Sequence, residues 1–105
     1  MTINTEDIER LIYSCVDEIN NNLPIDRQLS KTPQAILLGE GGVLDSLSLI
    51  TLLVSVEEAL KMHKGVSCFV LDEEQMTNPD GHYHTIRRLS EWIVAKLGNS
   101  SSNGV

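Results

Sequence analysis

Positive charge is scarce in this chain: 8 Lys and Arg stand against 15 Asp and Glu over 105 residues, a formal net charge of −7 at pH 7. A surface of that sign repels a phosphate backbone, so nucleic acid is excluded as the main partner and basic protein surfaces are expected instead. Long apolar runs are missing too. None approaches the roughly 20 residues that cross a bilayer. The opening stretch MTINTEDIER has neither the basic nor the apolar region of a secretory signal, so the expected location is the cytoplasm, with no membrane span. Cysteine is limited to Cys15 and Cys68, which are expected to stay reduced in a chain without an export signal. Catalytic signatures are lacking as well. There is no Gly-x-Ser-x-Gly elbow, and His63, His82 and His84 hold no marked spacing to Ser46. The stretch GEGG lacks the Lys-Ser/Thr ending of a nucleotide-binding loop. Asp80, His82 and His84 lie in a turn-rich segment and read as a solvated loop rather than a metal site. Neither enzymatic activity nor a bound metal is expected.

What the chain does have is helical periodicity. Ile8, Leu11, Ile12, Cys15, Val16 and Ile19 recur at the spacing of one helix face over 5–22, with Thr5 as the N-cap and three asparagines, Asn20, Asn21 and Asn22, as the stop. A long connection follows, PIDRQLSKTPQAILLGEGG. Its apolar knot Ile36, Leu37 and Leu38 predicts that it packs on the body instead of trailing in solvent. A second helix is predicted from Ser46 to about Met62. A short third over 72–76 carries acids in its first turn, as the helix dipole favours, and stops at Asn78, Pro79 and Gly81. Thr85 can cap a fourth, with Ile86, Leu89, Ile93 and Leu97 as its stripe and Gly98 as its C-cap. VSCFVL, 66–71, is β-prone in composition and could be a short extended segment, while Tyr83 and Trp92 read as packing residues. The expectation is a single domain over 1–98, an all-α four-helix bundle of three longer helices and a short third, followed by a disordered tail over 99–105.

The second helix carries more apolar surface than a small bundle can bury. At about 100° per residue, Leu49, Leu52, Leu53, Val56 and Leu60 cluster on one side. Leu47, Ile50 and Val54 fall roughly opposite, flanked by Thr51 and, about a turn further on, by Glu57 and Glu58. Either this second stripe packs under the long loop or the fourth helix, or it is an exposed patch for transient partners, apolar at its centre and acidic at its edge. Asp45 and Ser46 stand at the head of the same face. If Asp45 caps the helix, the Ser46 hydroxyl is spare and faces water, where the positive end of the helix dipole suits an attached phosphodiester. If Ser46 itself is the cap, it is not available.

At Asp45, Ser46 and Leu47 the sequence resembles the acyl carrier protein family, whose signature is Asp-Ser-Leu at the start of the second helix of a four-helix bundle. Leu38 and Gly39 resemble the family's approach to that motif, and VEEAL, 56–60, the acidic end of its second helix. DEE, 72–74, and TIRRLSEWI, 85–93, resemble its third and fourth helices, so the likeness covers roughly 5–97. The resemblance implies that a phosphopantetheinyl transferase, with Mg²⁺, moves the 4'-phosphopantetheine arm of coenzyme A onto the Ser46 hydroxyl. The arm's thiol then holds acyl groups as thioesters. It further implies that Asp45 supports the transferase and its metal, that Leu47, Ile50, Thr51 and Val54 meet partner enzymes, and that Glu57 and Glu58 face their basic surfaces. A monomer that visits several acyl-loading and acyl-processing enzymes in turn is expected. Ser48 and Thr51 are uncharged where many fatty-acid carriers have acids, and the connections around the third helix are long, which points to a specialised lipid or secondary-metabolite pathway. A peptidyl or D-alanyl carrier, or a helical adaptor that bears no arm, are the alternatives.

Overall fold

The computed structural model describes residues 3–78 and 80–103, with 98–103 described by their backbone alone. Among them it is mostly helical and has no strand. Helices α1 (Thr5–Asn20), α2 (Ser46–Lys64), α3 (Glu73–Met76) and α4 (Ile86–Asn103) follow in that order, with a 3-10 turn at Ile25–Arg27. α1 packs against both α2 and α4. This is the all-α arrangement of three longer helices and a short one that the periodicity predicts.

Local chemistry accounts for the helix ends, and several differ from expectation. α1 is capped by Asn4, not Thr5: the Asn4 side chain accepts from the Asp7 N–H at 2.9 Å, while the Asp7 carboxylate reaches back to the Asn4 N–H at 3.5 Å. That reciprocal box satisfies two amides left over at a helix start, which a lone Thr5 could not do. α2 runs past Met62 to Lys64, its last turn basic with Lys61, His63 and Lys64, and ends on Gly65 at φ +66°, a left-handed conformation that favours glycine. α3 begins at Glu73 because Asp72 caps it through the Glu74 N–H at 3.0 Å. α4 does not end at Gly98. Its helical backbone continues to Asn103, through most of the stretch expected to be a loose tail, and Gly104 and Val105 lie outside the described residues. Pro79, expected to help stop α3, also lies outside them.

One core joins the elements. Ile8, Ile12 and Val16 of α1, Leu49, Leu52, Leu53, Val56 and Leu60 of α2, and Ile86, Leu89 and Ile93 of α4 are essentially inaccessible. The long connection between α1 and α2 is fastened to this body, as its apolar knot predicts. Leu29 and Leu37 are buried, and the Asn20 side chain grips the Leu29 backbone, its amide donating to the carbonyl at 2.9 Å and its oxygen accepting from the N–H at 2.8 Å. Further along, Ile36 forms an isolated antiparallel bridge with Thr85. The carbonyls of Pro33 and Ala35 accept the N–H groups of Arg87 and Ile86 at 2.9 and 3.1 Å, which occupies the amides at the head of α4.

The segment 66–71 is neither helix nor strand. Side chains elsewhere in the fold capture its backbone: Glu57 Oε2 accepts from the Val70 and Leu71 N–H groups at 2.7 and 2.9 Å, and the buried Tyr83 hydroxyl donates to the Val70 carbonyl while accepting from the Asp72 N–H. Burial pushes the Tyr83 hydroxyl up to about 12, so it stays protonated and able to donate.

Candidate functional site

The site is the head of α2. Gly39 and Gly41 both take positive φ, +122° and +89°, in the turn that brings the chain out of the fastened loop. At Gly42 a Cβ would meet the Gly39 carbonyl oxygen at 3.1 Å, so the bend suits residues without side chains. This is the structural part played by the glycines that precede the serine.

From there Asp45 enters in extended conformation and becomes the N-cap. Its Oδ1 accepts from the Ser48 N–H at 2.7 Å, and its carbonyl accepts the first helical bond, from the Leu49 N–H at 3.0 Å. The carboxyl is held below its ordinary value, first by the Ser48 N–H, next by the Ser48 hydroxyl and, more weakly, by the charge of Arg27. Because Asp45 takes the capping role, Ser46 is the first helical residue and is exposed, and its hydroxyl has no hydrogen-bond partner among the described residues. The two helix heads differ in this respect. At α4 the Ile86, Arg87 and Arg88 N–H groups are all taken, the last by the Thr85 hydroxyl at 3.1 Å. At α2 the N–H groups of Ser46 and Leu47 find no acceptor within the described residues, so the positive end of the α2 dipole faces water beside a free hydroxyl.

Behind Ser46 the second stripe is on the surface. Leu47 is 73 % exposed, Ile50 37 % and Val54 38 %, so neither the loop nor α4 covers them. Thr51 is exposed between them, its hydroxyl donating to the Leu47 carbonyl at 2.9 Å. The acids at the stripe's far end separate. Glu58 is exposed and has no ion pair among the described residues. Glu57, which the resemblance places beside it facing partners, turns one carboxylate oxygen inward to hold Val70 and Leu71. A glutamate at that helical position gives no sequence signal of its backbone partners thirteen and fourteen residues away, so this structural role was not legible. Phe69, at 84 % exposure, stands on the segment that Glu57 holds.

The other residues singled out by type do not converge. His82 stacks on Trp92 with ring centroids 5.0 Å apart, and His84 Nδ1 lies 3.1 Å from the Leu38 carbonyl oxygen. No group of three or more His, Cys, Asp or Glu side chains among the described residues could hold a metal ion. Cys15 is buried and Cys68 half-buried, and they are not bonded to each other. Among the described residues no helix is long and apolar enough to cross a membrane.

A small acidic helical bundle thus presents a free serine at one helix head, with an uncovered apolar stripe running away from it. No protein-family model, curated protein sequence or solved structure matches the chain.

Proposed function

We propose that this protein is an acyl carrier whose Ser46 bears a 4'-phosphopantetheine arm. The observation that carries the reading is the division of labour at the head of α2: Asp45 caps the helix and thereby leaves the Ser46 hydroxyl exposed and unengaged. The surroundings suit the group. Its phosphodiester would sit at the positive end of α2 beside the open Ser46 and Leu47 N–H groups. Attachment forms a phosphodiester at Ser46 Oγ, the hydroxyl proton leaves, and the nucleotide part of coenzyme A departs. Once bound, the arm supplies a thiol that holds acyl groups as thioesters.

The residues around it then act by recognition. Leu47, Ile50 and Val54 offer apolar contact, Thr51 sits among them, and Glu58 supplies charge at the edge, giving a small patch suited to brief visits by enzymes with basic surfaces. Asp45 is the acid adjacent to the hydroxyl during loading. The neutral Ser48 and Thr51 support a partner set outside routine fatty-acid synthesis, in a specialised lipid or secondary-metabolite pathway of the cytoplasm.

The test is intact mass after incubation with coenzyme A, Mg²⁺ and a broad-specificity phosphopantetheinyl transferase. The expected result is a gain of one phosphopantetheine on the native chain and none on Ser46→Ala. A native chain that stays unmodified beside a carrier that loads under the same conditions would sink the reading and leave a helical adaptor. Loading of the holo chain by a panel of adenylating enzymes separates an acyl cargo from an aminoacyl one.

A further inference from the structure

The connection between α1 and α2 carries two cations, Arg27 and Lys31, and the fold uses them differently. Lys31 reaches back to α1, its Nζ 3.0 Å from Asp17 Oδ1. Arg27 is exposed, and its guanidinium makes no ion pair or hydrogen bond among the described residues. The main chain that carries it is nevertheless fixed. Within the 3-10 turn the Arg27 N–H donates to the Pro24 carbonyl at 2.9 Å. The adjacent Gln28 amide donates to the Asn20 and Leu23 carbonyls at 3.2 and 3.3 Å, and the Leu29 backbone is held by Asn20. A pinned turn leaves only the arginine side chain with freedom to lose on meeting an anion.

This turn faces the head of α2. Asn22 and Leu23, just ahead of it, line one hollow of about 310 Å³ together with Leu47, Ser48 and Thr51. The Asp45 carboxyl is held down first by the Ser48 N–H, next by the Ser48 hydroxyl and further by the charge of Arg27, so the guanidinium stands within electrostatic reach of the residue that precedes Ser46. On α2 itself there is no Lys or Arg before Lys61, so no other cation of that helix lies near its head.

Loading would change the charge balance at this point. A phosphodiester adds one negative charge at Ser46 Oγ, next to the ionised Asp45 carboxylate, and like charges so close oppose each other. The open N–H groups at the helix head offset part of that repulsion. A guanidinium can offset more, because its planar fork matches two phosphate oxygens at once. We infer that Arg27 is a positioning residue for the loaded form: its guanidinium pairs with the phosphodiester at Ser46, so that the root of the arm is held from the 3-10 turn as well as from the helix head. The inference rests on the carrier reading above.

The test loads the chain from coenzyme A, verifies it by intact mass, and compares urea unfolding of the loaded and unloaded forms at neutral pH and low salt. The ratio of unfolding constants, loaded over unloaded, should be about threefold larger in Arg27→Gln than in the native chain, the size of one exposed ion pair. That difference should fade in about 0.5 M salt, where exposed charges are screened. Lys31→Gln removes a cation already engaged by Asp17 and should show the native ratio. A second readout needs no loaded variant: the Arg27 Nε–H cross-peak should move when the native chain is loaded, while those of Arg10, Arg87 and Arg88 stay in place. Equal ratios in the native chain and Arg27→Gln, or an Arg27 cross-peak that does not move, overturn the inference and leave the carrier reading standing, with Arg27 serving Asp45 alone. A native chain that takes no arm overturns both.

Discussion

Leu53 and Leu47 sit on the same helix six positions apart, yet Leu53 is fully buried and Leu47 is 73 % exposed. Residue type does not distinguish the two faces of α2, and neither does helical periodicity, which groups apolar residues on both. What separates them is where the neighbouring chain goes. The connection long enough to cover the outward stripe is fastened elsewhere, with Leu29 gripped by Asn20 and the 33–37 segment bonded to the head of α4. The long loop is thus held at the head of α4 and leaves the outward stripe bare.

The largest effect that would sharpen this contrast is a pair of truncations. Leu53→Ala removes a side chain from a filled core and should cost about 3 kcal/mol of unfolding free energy. Leu47→Ala should change it by less than about 0.5 kcal/mol, as surface substitutions do. Urea unfolding read by circular dichroism measures both. A Leu47→Ala cost approaching that of Leu53→Ala would show that the stripe is packed in solution, and the distinction between the faces would fail.

A second pair tests the border between them. Glu57 and Glu58 are adjacent, but only Glu57 holds backbone: its Oε2 accepts two N–H bonds from the segment ahead of α3. Glu57→Ala leaves the Val70 N–H without an acceptor next to a buried side chain and should cost about 1 to 2 kcal/mol. Glu58→Ala should cost less than about 0.5 kcal/mol while weakening binding to a basic partner, an effect that fades as salt rises. Equal losses of stability in the two variants would place both carboxylates on the surface.

These pairs also mark how far the sequence could be read. The bundle was legible because α1 and α4 carry single apolar stripes, and the head of α2 because Asp45 precedes a leucine-rich run directly after a glycine turn. Packing of the long loop was legible from Ile36, Leu37 and Leu38. Whether the second stripe of α2 was covered was not, because that depends on the bonds between 33–37 and 84–87, which periodicity does not encode. The Glu57 clamp and the Tyr83 hydroxyl bonds were hidden for the same reason: each joins a side chain to backbone groups more than ten residues away. At α1 the Asn4 and Asp7 spacing did carry a signal, and the adjacent Thr5 obscured it. The continuation of α4 past Gly98 runs against the usual role of glycine as a helix stop, and nothing in the structure explains it.

The smallest effect concerns the two neighbours at the head of α2, which share a surface and differ in what they hold. Asp45 is ionised when it accepts the Ser48 N–H, and its carboxyl is held below the ordinary 3.8. A depressed folded value means that the ionised form favours the fold. This contribution is complete above about pH 4 and disappears as the pH falls through the folded value. Asp45→Ala should therefore lower the urea midpoint at neutral pH, with the gap to the native chain narrowing toward about pH 3. Ser46→Ala should leave the midpoint unchanged at both, since its hydroxyl holds nothing within the described residues. A gap for Asp45→Ala that persists undiminished in acid would mean that its carboxylate is not the cap, and a loss of stability in Ser46→Ala would mean that the serine is. Either result would return the hydroxyl to the helix and remove it from solvent, where an attached group requires it.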